Sequence, residues 1–271
     1  MLFRSLTGAL GYQVFAKDII LNLCGRFGMN MAEYQALEFA GEGIATLSMQ
    51  ERMTLSNMSA ELGAQAGIIA PDAITAEWLD AHAPERTLVD GMPDTYWQSD
   101  MGSHCGPSYN VDLDTLSPYA AAPHSPANAA PLNDHDSPEF TIAYIGACTG
   151  AKLVDLRAAA KILKGKQIAS SIRLLIAPAS LADQQAARDE GLMQIFEEAG
   201  ARFLPTACGM CAGYGVDRLG AEDICISSTA RNFKGRMGDA GSQVWLASPA
   251  SVAAAALTGK LTDPRHLVSD I

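Results

Sequence analysis

The stretch FTIAYIGACTG, residues 140–150, decides the fold. Its first six residues carry no charge and are apolar apart from one threonine, which predicts a buried strand. The small residues around Cys148 predict a turn, and residues 153–163 have the apolar spacing of a helix. A strand, a turn and a helix in this order are typical of a parallel α/β sheet.

The same alternation continues towards the C-terminus. Its strands are predicted at 172–177, 202–204, 224–227 and 243–247, and its helices at 182–199 and 252–257. Ligands of such sheets bind beyond the carboxyl ends of the strands. The turns that follow the strands are therefore the first place to look for functional residues.

The first third of the chain predicts helices at 14–25, 48–63 and 74–82, with a strand or turn within 33–47. Ser48 and Glu51 have the spacing of a capping box, which predicts the start of the second helix. Residues 84–138 are rich in Pro, Asp, Ser, Asn and Gly and predict a long loop with one strand at 109–113.

Composition excludes several classes of function. The 271 residues are 48% hydrophobic and 18% charged, which is typical of a globular chain. The net charge of −11 argues against duplex nucleic acid or an anionic membrane as the main partner. No run of 18 apolar residues predicts a membrane span. Residues 1–8 lack the apolar core of a signal peptide, so a cytoplasmic location is expected.

Three cysteines occupy turns that follow predicted strands. Cys148 follows the strand 140–145, and Cys208 and Cys211 form a C-x-x-C pair after the strand near Leu204. Because both turns lie at one edge of a parallel sheet, we expect the three thiols to converge on one point. Three thiolates suit a metal or an iron–sulfur cluster, and a four-iron cube held by three of them keeps one iron free for Lewis-acid chemistry.

Other interpretations of the cysteines are open at this point. A single C-x-x-C also suits a redox pair or half of a zinc site, and Cys148 alone could be a small buried residue. Cys24, Cys105 and Cys225 have no partner at a useful spacing and are interpreted as structural.

Several motifs together resemble one known family, the aconitase family, over nearly the whole chain. The order and spacing are most similar to the large subunits of its 3-isopropylmalate dehydratase branch. The motifs are EFAGE (38–42), MTLSNM (53–58) with Glu61, PHSP (123–126), YIGACT (144–149), CGMC (208–211), ARNFKGR (230–236) and LTGK (257–260).

The resemblance implies roles for individual residues. Cys148, Cys208 and Cys211 would be the ligands of a [4Fe–4S] cluster, and Arg231 and Arg236 would hold substrate carboxylate. The guanidinium fork suits this task, because an acidic protein needs local bidentate cations to bind an anion.

Asn57 and Glu61 would lie near the open iron. They are four residues apart and therefore share one helix face. A glutamate that acts as general acid or base suits the loss and return of water.

The chain also departs from the family. It has Ala147 and Gly150 where the family usually has serine and asparagine around the first cysteine, and Ala230 where it usually has asparagine. Each change removes a polar group near the expected cluster, which could shift its potential or loosen substrate orientation. We also expect the family's first α/β domain and the serine base of its small swivelling subunit to be absent from this chain, and no histidine is assigned as the base.

The resemblance predicts an α/β protein with two doubly wound, three-layer domains of aconitase type. The first would span 1–84, a connector 85–136, and the cluster-binding domain 137–271. The expected function is that of a hydro-lyase large subunit of leucine biosynthesis, which dehydrates and rehydrates a hydroxy-dicarboxylic acid together with a small subunit. Aconitase, homoaconitase or methylmalate specificity, a non-catalytic cluster-binding fragment, and a zinc or dithiol protein are the alternatives.

Overall fold

A computed structural model describes residues 2–83 and 108–267. The strands are β1 Leu2–Thr7, β2 Ala36–Ala40, β3 Ala66–Ile69, β4 Ser108–Asp112, β5 Tyr119–Ala121, β6 Ala129–Pro131, β7 Ile142–Ile145, β8 Arg173–Ile176, β9 Arg202–Phe203, β10 Ile224–Ser227 and β11 Gln243–Ala247. The helices are α1 Ala16–Phe27, α2 Met49–Met58, α3 Ala73–His82, α4 Leu153–Leu163, α5 Leu181–Asp189, α6 Leu192–Ala199 and α7 Pro249–Thr258.

The first sheet has four parallel strands in the order β3-β2-β1-β4. β1 and β3 were not predicted. The sequence of β1, LFRSLT, mixes apolar residues with an arginine and two hydroxyl residues. β3 has only four residues, one of them glycine, so neither strand has a strong alternating pattern.

The second sheet has seven strands in the order β6-β5-β11-β10-β7-β8-β9. The five strands from β11 to β9 run parallel, and the β5–β6 hairpin adds antiparallel strands at one edge. The predicted α/β class is confirmed, with one parallel and one mixed sheet. The strand predicted at 109–113 is confirmed as β4, which joins the first sheet. The loop predicted for the rest of 84–138 is wrong at β5 and β6, which join the second sheet. Residues 84–107 lie outside the described part of the chain.

Alternate residues of the second sheet face two different layers. Ala143 and Ile145 pack against helices α4, α6 and α7. Ile142 and Tyr144 face the other way, towards Met210, Leu219 and Met237, which lie in irregular segments. Irregular segments, and no long helix, therefore cover this side of the second sheet near the carboxyl ends of β7 and β9. A cavity can form there.

Helix α1 lies between the two sheets. Ile19, Ile20 and Leu23 pack into the core of the first sheet. Leu21 packs against Ala121 and Leu246 of the second. Residues 16–24 are all buried, as expected for a helix that is covered on all sides.

Asp18 ties α1 to the second sheet. Its carboxylate accepts hydrogen bonds from the backbone N–H groups of Phe15 at 2.8 Å and Tyr119, in β5, at 2.9 Å. Burial raises the pKa of Asp18 to about 7, and these two hydrogen bonds oppose the shift. The contact fixes α1 against the edge of the second sheet.

Two helix predictions differ from the structure in detail. The helix predicted at 182–199 is broken into α5 and α6, because Gly191 adopts a left-handed conformation with φ of 73°. The capping box of Ser48 and Glu51 is present at the start of α2. The helix predicted up to Gly63 continues beyond Met58 only as a short 3₁₀ helix, Ser59–Leu62. None of the described helices combines the length and hydropathy that a membrane crossing requires.

The packing of α1 predicts the effect of a cavity between the sheets. Leu21→Ala should lower the free energy of unfolding by about 3 kcal/mol, because Leu21 is fully buried against two strands. Urea unfolding followed by circular dichroism measures the change. Leu181→Ala, at a side chain that is 74% exposed, is the control and should change stability by less than about 0.5 kcal/mol. Equal effects of the two variants would contradict the packing described.

Candidate metal centre

One cavity of about 360 Å³ lies beyond the carboxyl ends of β7 and β9. All three cysteines predicted as ligands are free thiols. The residues of chemical interest on its walls are Asn57, Cys148, Cys208, Cys211, Arg231 and Arg236. The structure thus brings together six of the seven predicted site residues, from both sheets.

Close backbone contacts shape the turn that carries Cys148. A Cβ atom added to Gly150 would lie 2.2 Å from the carbonyl oxygen of Ser228, which follows β10. The Ser228 hydroxyl accepts from the Gly146 N–H at 2.9 Å and donates to the Gly150 carbonyl at 2.9 Å. Ala147 has a φ of 69°, a left-handed conformation that is costly for a residue with a side chain. This packing fixes the direction of Cys148.

The C-x-x-C pair lies at a short 3₁₀ helix, Gly209–Ala212, which ends at Gly213. Burial raises the pKa of the Cys211 thiol, and the positive charge of Arg236 opposes this shift. Cys148 and Cys208 raise the same pKa, because neighbouring thiolates would repel each other. A cation bound among the three sulfurs would remove that repulsion.

The cavity does not have the geometry of a single-ion site. Within residues 2–83 and 108–267, no three His, Cys, Asp or Glu side chains are close enough to surround one metal ion. The three thiols lie on the walls of one shared cavity, and their convergence on one point stays a prediction. A multi-iron cluster suits this arrangement, since each thiolate binds a different iron.

Arg236 also lines this cavity, and its Nε atom is buried with no acceptor in the described part of the chain. A buried N–H without an acceptor is costly, so this arginine keeps an unmet hydrogen bond next to the cavity. The three thiols suit an iron–sulfur cluster, and the guanidinium groups beside them suit an anionic ligand.

Asn57 and Glu61 occupy different positions relative to the cavity. Asn57 lies on its wall and donates from Nδ2 to Cys148 Sγ at 3.4 Å. Glu61 is buried behind it, with 3% of its side chain exposed, and its Oε1 accepts from Arg231 Nε at 2.6 Å. The predicted shared helix face is only partly realised, because Asn57 lies in α2 and Glu61 in the 3₁₀ helix that follows.

The aconitase family model (aconitate hydratase) matches residues 2–141 and 136–259. The chain belongs to the aconitase family. The resemblance inferred from the motifs is thereby confirmed.

Two relatives in this family are named 3-isopropylmalate dehydratase large subunit. The protein from Campylobacter concisus is 44% identical over 262 residues, which are 96% of this chain and 61% of the relative. Large subunit 2 from Archaeoglobus fulgidus is 38% identical over 265 residues, 97% of this chain and 62% of the relative. The chain thus spans about three fifths of the length of these relatives.

A solved structure is also similar. The holo-form of aconitase X from Thermococcus kodakaraensis matches with a TM-score of 0.41 and 13% identity, over 89% of this chain and 53% of the other.

Two buried lysines were missed by sequence reasoning. Lys152 donates to the Cys148 carbonyl at 3.2 Å and to Thr54 Oγ1 at 2.7 Å, and it pairs with Asp155 at 2.9 Å. Lys17 lies in α1, and burial lowers its pKa to about 8. The available signal for Lys17 was its place at the start of α1, next to Asp18 and before the apolar run Ile19–Leu21.

The remaining cysteines agree with a structural role where they are described. Cys24 is fully buried in the first core, and burial raises its pKa to about 12. Burial likewise raises the pKa of Cys225, in β10. Cys105 lies outside the described residues.

The tight turn before α4 predicts a strong effect of one added methyl group. Gly150→Ala should lower the free energy of unfolding by about 1 to 3 kcal/mol, because the methyl group meets backbone atoms of Ser228. Gly11→Ala is the matched control, since a Cβ added there meets no atom within 4 Å. Thermal unfolding measures both. A Gly150→Ala protein as stable as Gly11→Ala would show that the turn is not fixed by this contact.

Proposed function

We propose that this chain supplies the cluster-binding part of a hydro-lyase large subunit that acts on a hydroxy-dicarboxylic acid. The observation that carries the proposal is the shared cavity, which three free cysteines line together with two arginines and Asn57. Thiols suit a soft metal group and arginines suit carboxylates, so the cavity combines the two needs of this chemistry.

Cys148, Cys208 and Cys211 would hold a [4Fe–4S] cluster. When bound, the cluster supplies an iron without a protein ligand, which acts as a Lewis acid on a hydroxyl group. The Asn57 amide donates to Cys148 Sγ. This hydrogen bond would orient the thiolate and adjust its electron donation to the cluster.

Arg231 and Arg236 would bind substrate carboxylate. Both residues line the cavity. In a protein of net charge −11, these guanidinium groups give a dianion a favourable place to bind. They would orient the substrate so that its hydroxyl faces the cysteine side of the cavity.

Glu61 would act as a general acid or base and transfer a proton at the leaving hydroxyl group. Its Oε1 is held by Arg231, so substrate binding to Arg231 and proton transfer at Glu61 would be coupled. Dehydration breaks a C–O bond and a C–H bond and yields an alkene and water. The base that takes the carbon proton is expected from the small subunit and not from this chain.

The substrate and partner proposed are those that the names of the relatives suggest. 3-Isopropylmalate is the first candidate, with citrate, homocitrate and methylmalates as the comparison set. A small subunit and the remaining two fifths of a large subunit would complete the enzyme. We also propose the aconitase arrangement of two doubly wound, three-layer domains and the cytoplasmic location expected from the sequence. The boundaries 1–84 and 137–271 need extension, because β4 belongs to the first sheet and β5 and β6 belong to the second.

An activity assay tests the proposed reaction. With a small subunit and the remaining part of a large subunit added, the loaded chain should turn over 3-isopropylmalate. Cluster loading without turnover of any acid in the comparison set would favour a non-catalytic cluster-binding fragment instead.

Anaerobic reconstitution tests the ligand set. The wild-type chain should bind about four iron and four sulfide ions, and Cys148→Ser, Cys208→Ser and Cys211→Ser should each lose most of them. Cys225→Ala, at a cysteine buried in β10, is the matched control and should load normally. Zinc without iron or sulfide in the anaerobically purified wild type would overturn the cluster proposal.

Glu61→Gln tests the proton role. In the enzyme completed by a small subunit and the remaining part of a large subunit, kcat on 3-isopropylmalate should fall about 100-fold or more, because the amide cannot accept the proton. Glu139→Gln is the control, since the side chain of Glu139 is 87% exposed and paired only loosely with Lys260. Unchanged kcat in Glu61→Gln with normal iron content would remove Glu61 from the reaction.

A further inference from the structure

Lys17 is a buried cation that has no role in the proposed reaction. Its side chain is 2% exposed, and no carboxylate of residues 2–83 and 108–267 lies within ion-pair distance of its Nζ. Burying an ammonium group without a counter-ion costs stability, so the position needs a compensating function.

The two contacts of Lys17 Nζ join the two halves of the site. Nζ donates to the Thr229 carbonyl at 2.8 Å and lies 3.6 Å from Met58 Sδ. Thr229 is two residues before Arg231, and Met58 follows Asn57 at the end of α2. One buried ammonium therefore links the turn of Arg231 to the helix that carries Asn57.

The electrostatic neighbours of Lys17 point to the same cavity. Asp155, Lys152, Asp18 and Cys211 all lie close enough for their charges to act on it. Asp155 is already paired with Lys152, and the Asp18 carboxylate accepts two backbone hydrogen bonds at the start of α1. The positive charge of Lys17 is thus only partly balanced on its own side of the cavity.

We propose that Lys17 is a positioning residue whose ammonium holds the Arg231 turn against α2 and supplies a counter-charge to an anionic cluster in the cavity. The inference rests on the proposed function, because three thiolates and the sulfide ions give such a cluster its negative charge. A positive charge behind the cluster favours its reduced form and retains its iron.

Lys17→Met separates this role from a structural one. The variant keeps most of the length of the side chain and removes the charge. Because loss of the buried charge offsets loss of the hydrogen bond to the Thr229 carbonyl, the stability of the apoprotein should change little. After anaerobic loading, the same variant should lose iron to a chelator about tenfold faster and show a lower midpoint potential. A residue that only supports the fold would give the opposite pattern, with an unstable apoprotein and an unchanged potential.

Two further variants complete the test. Lys164→Met removes an exposed lysine at the end of α4 and should leave potential and iron release unchanged. Lys17→Gln retains a donor for the Thr229 carbonyl without the charge, and it replaces Lys17→Met if that variant does not fold. It should show the lower potential as well.

The outcomes for the two proposals differ. A wild-type chain that binds no iron and sulfide overturns the proposed function and this inference with it. A wild type that loads normally, with Lys17→Met and Lys17→Gln that match it in potential and iron release, overturns the role of Lys17 alone.

Discussion

The contact between the Cys148 turn and the end of β10 is the constraint on which the site depends. Gly150 lies so close to the Ser228 carbonyl that no side chain can be added, and the Ser228 hydroxyl holds the backbone on both sides of Cys148. Parallel pairing of β7 with β10 brings the two segments together. Because the next turn after β10 carries Arg231, the same pairing sets a thiol and a guanidinium on one cavity.

The cavity is surrounded by positively charged side chains, although the whole protein has a negative net charge. The chain has a net charge of −11, yet Arg231 and Arg236 line the cavity and Lys17 and Lys152 are buried behind it. Buried cations lie in a region of low dielectric constant and are weakly screened by salt, so they attract an anion more strongly than surface charges do. The proposed binding of a carboxylate substrate by an acidic protein would depend on these local positive charges.

The sequence alone predicted the parallel strands of the second sheet and the grouping of the cysteines, because both follow from strong local patterns. The uncharged run 140–145 and the C-x-x-C pair were sufficient for this. The strands β1, β3, β5 and β6 were missed, since their residues pair only through tertiary contacts. The burial of Glu61 behind Asn57 and the link made by Lys17 were also missed, because hydrogen-bond partners 170 and 212 residues away cannot be read from spacing.

A crystal structure of the anaerobically loaded chain tests the central claim most directly. The account predicts a single cubic cluster bound by Cys148, Cys208 and Cys211, with its fourth iron directed towards the side of the cavity formed by Asn57, Arg231 and Arg236. A cluster or ion bound by any other set of side chains, or a fourth protein ligand on the cube, would contradict it.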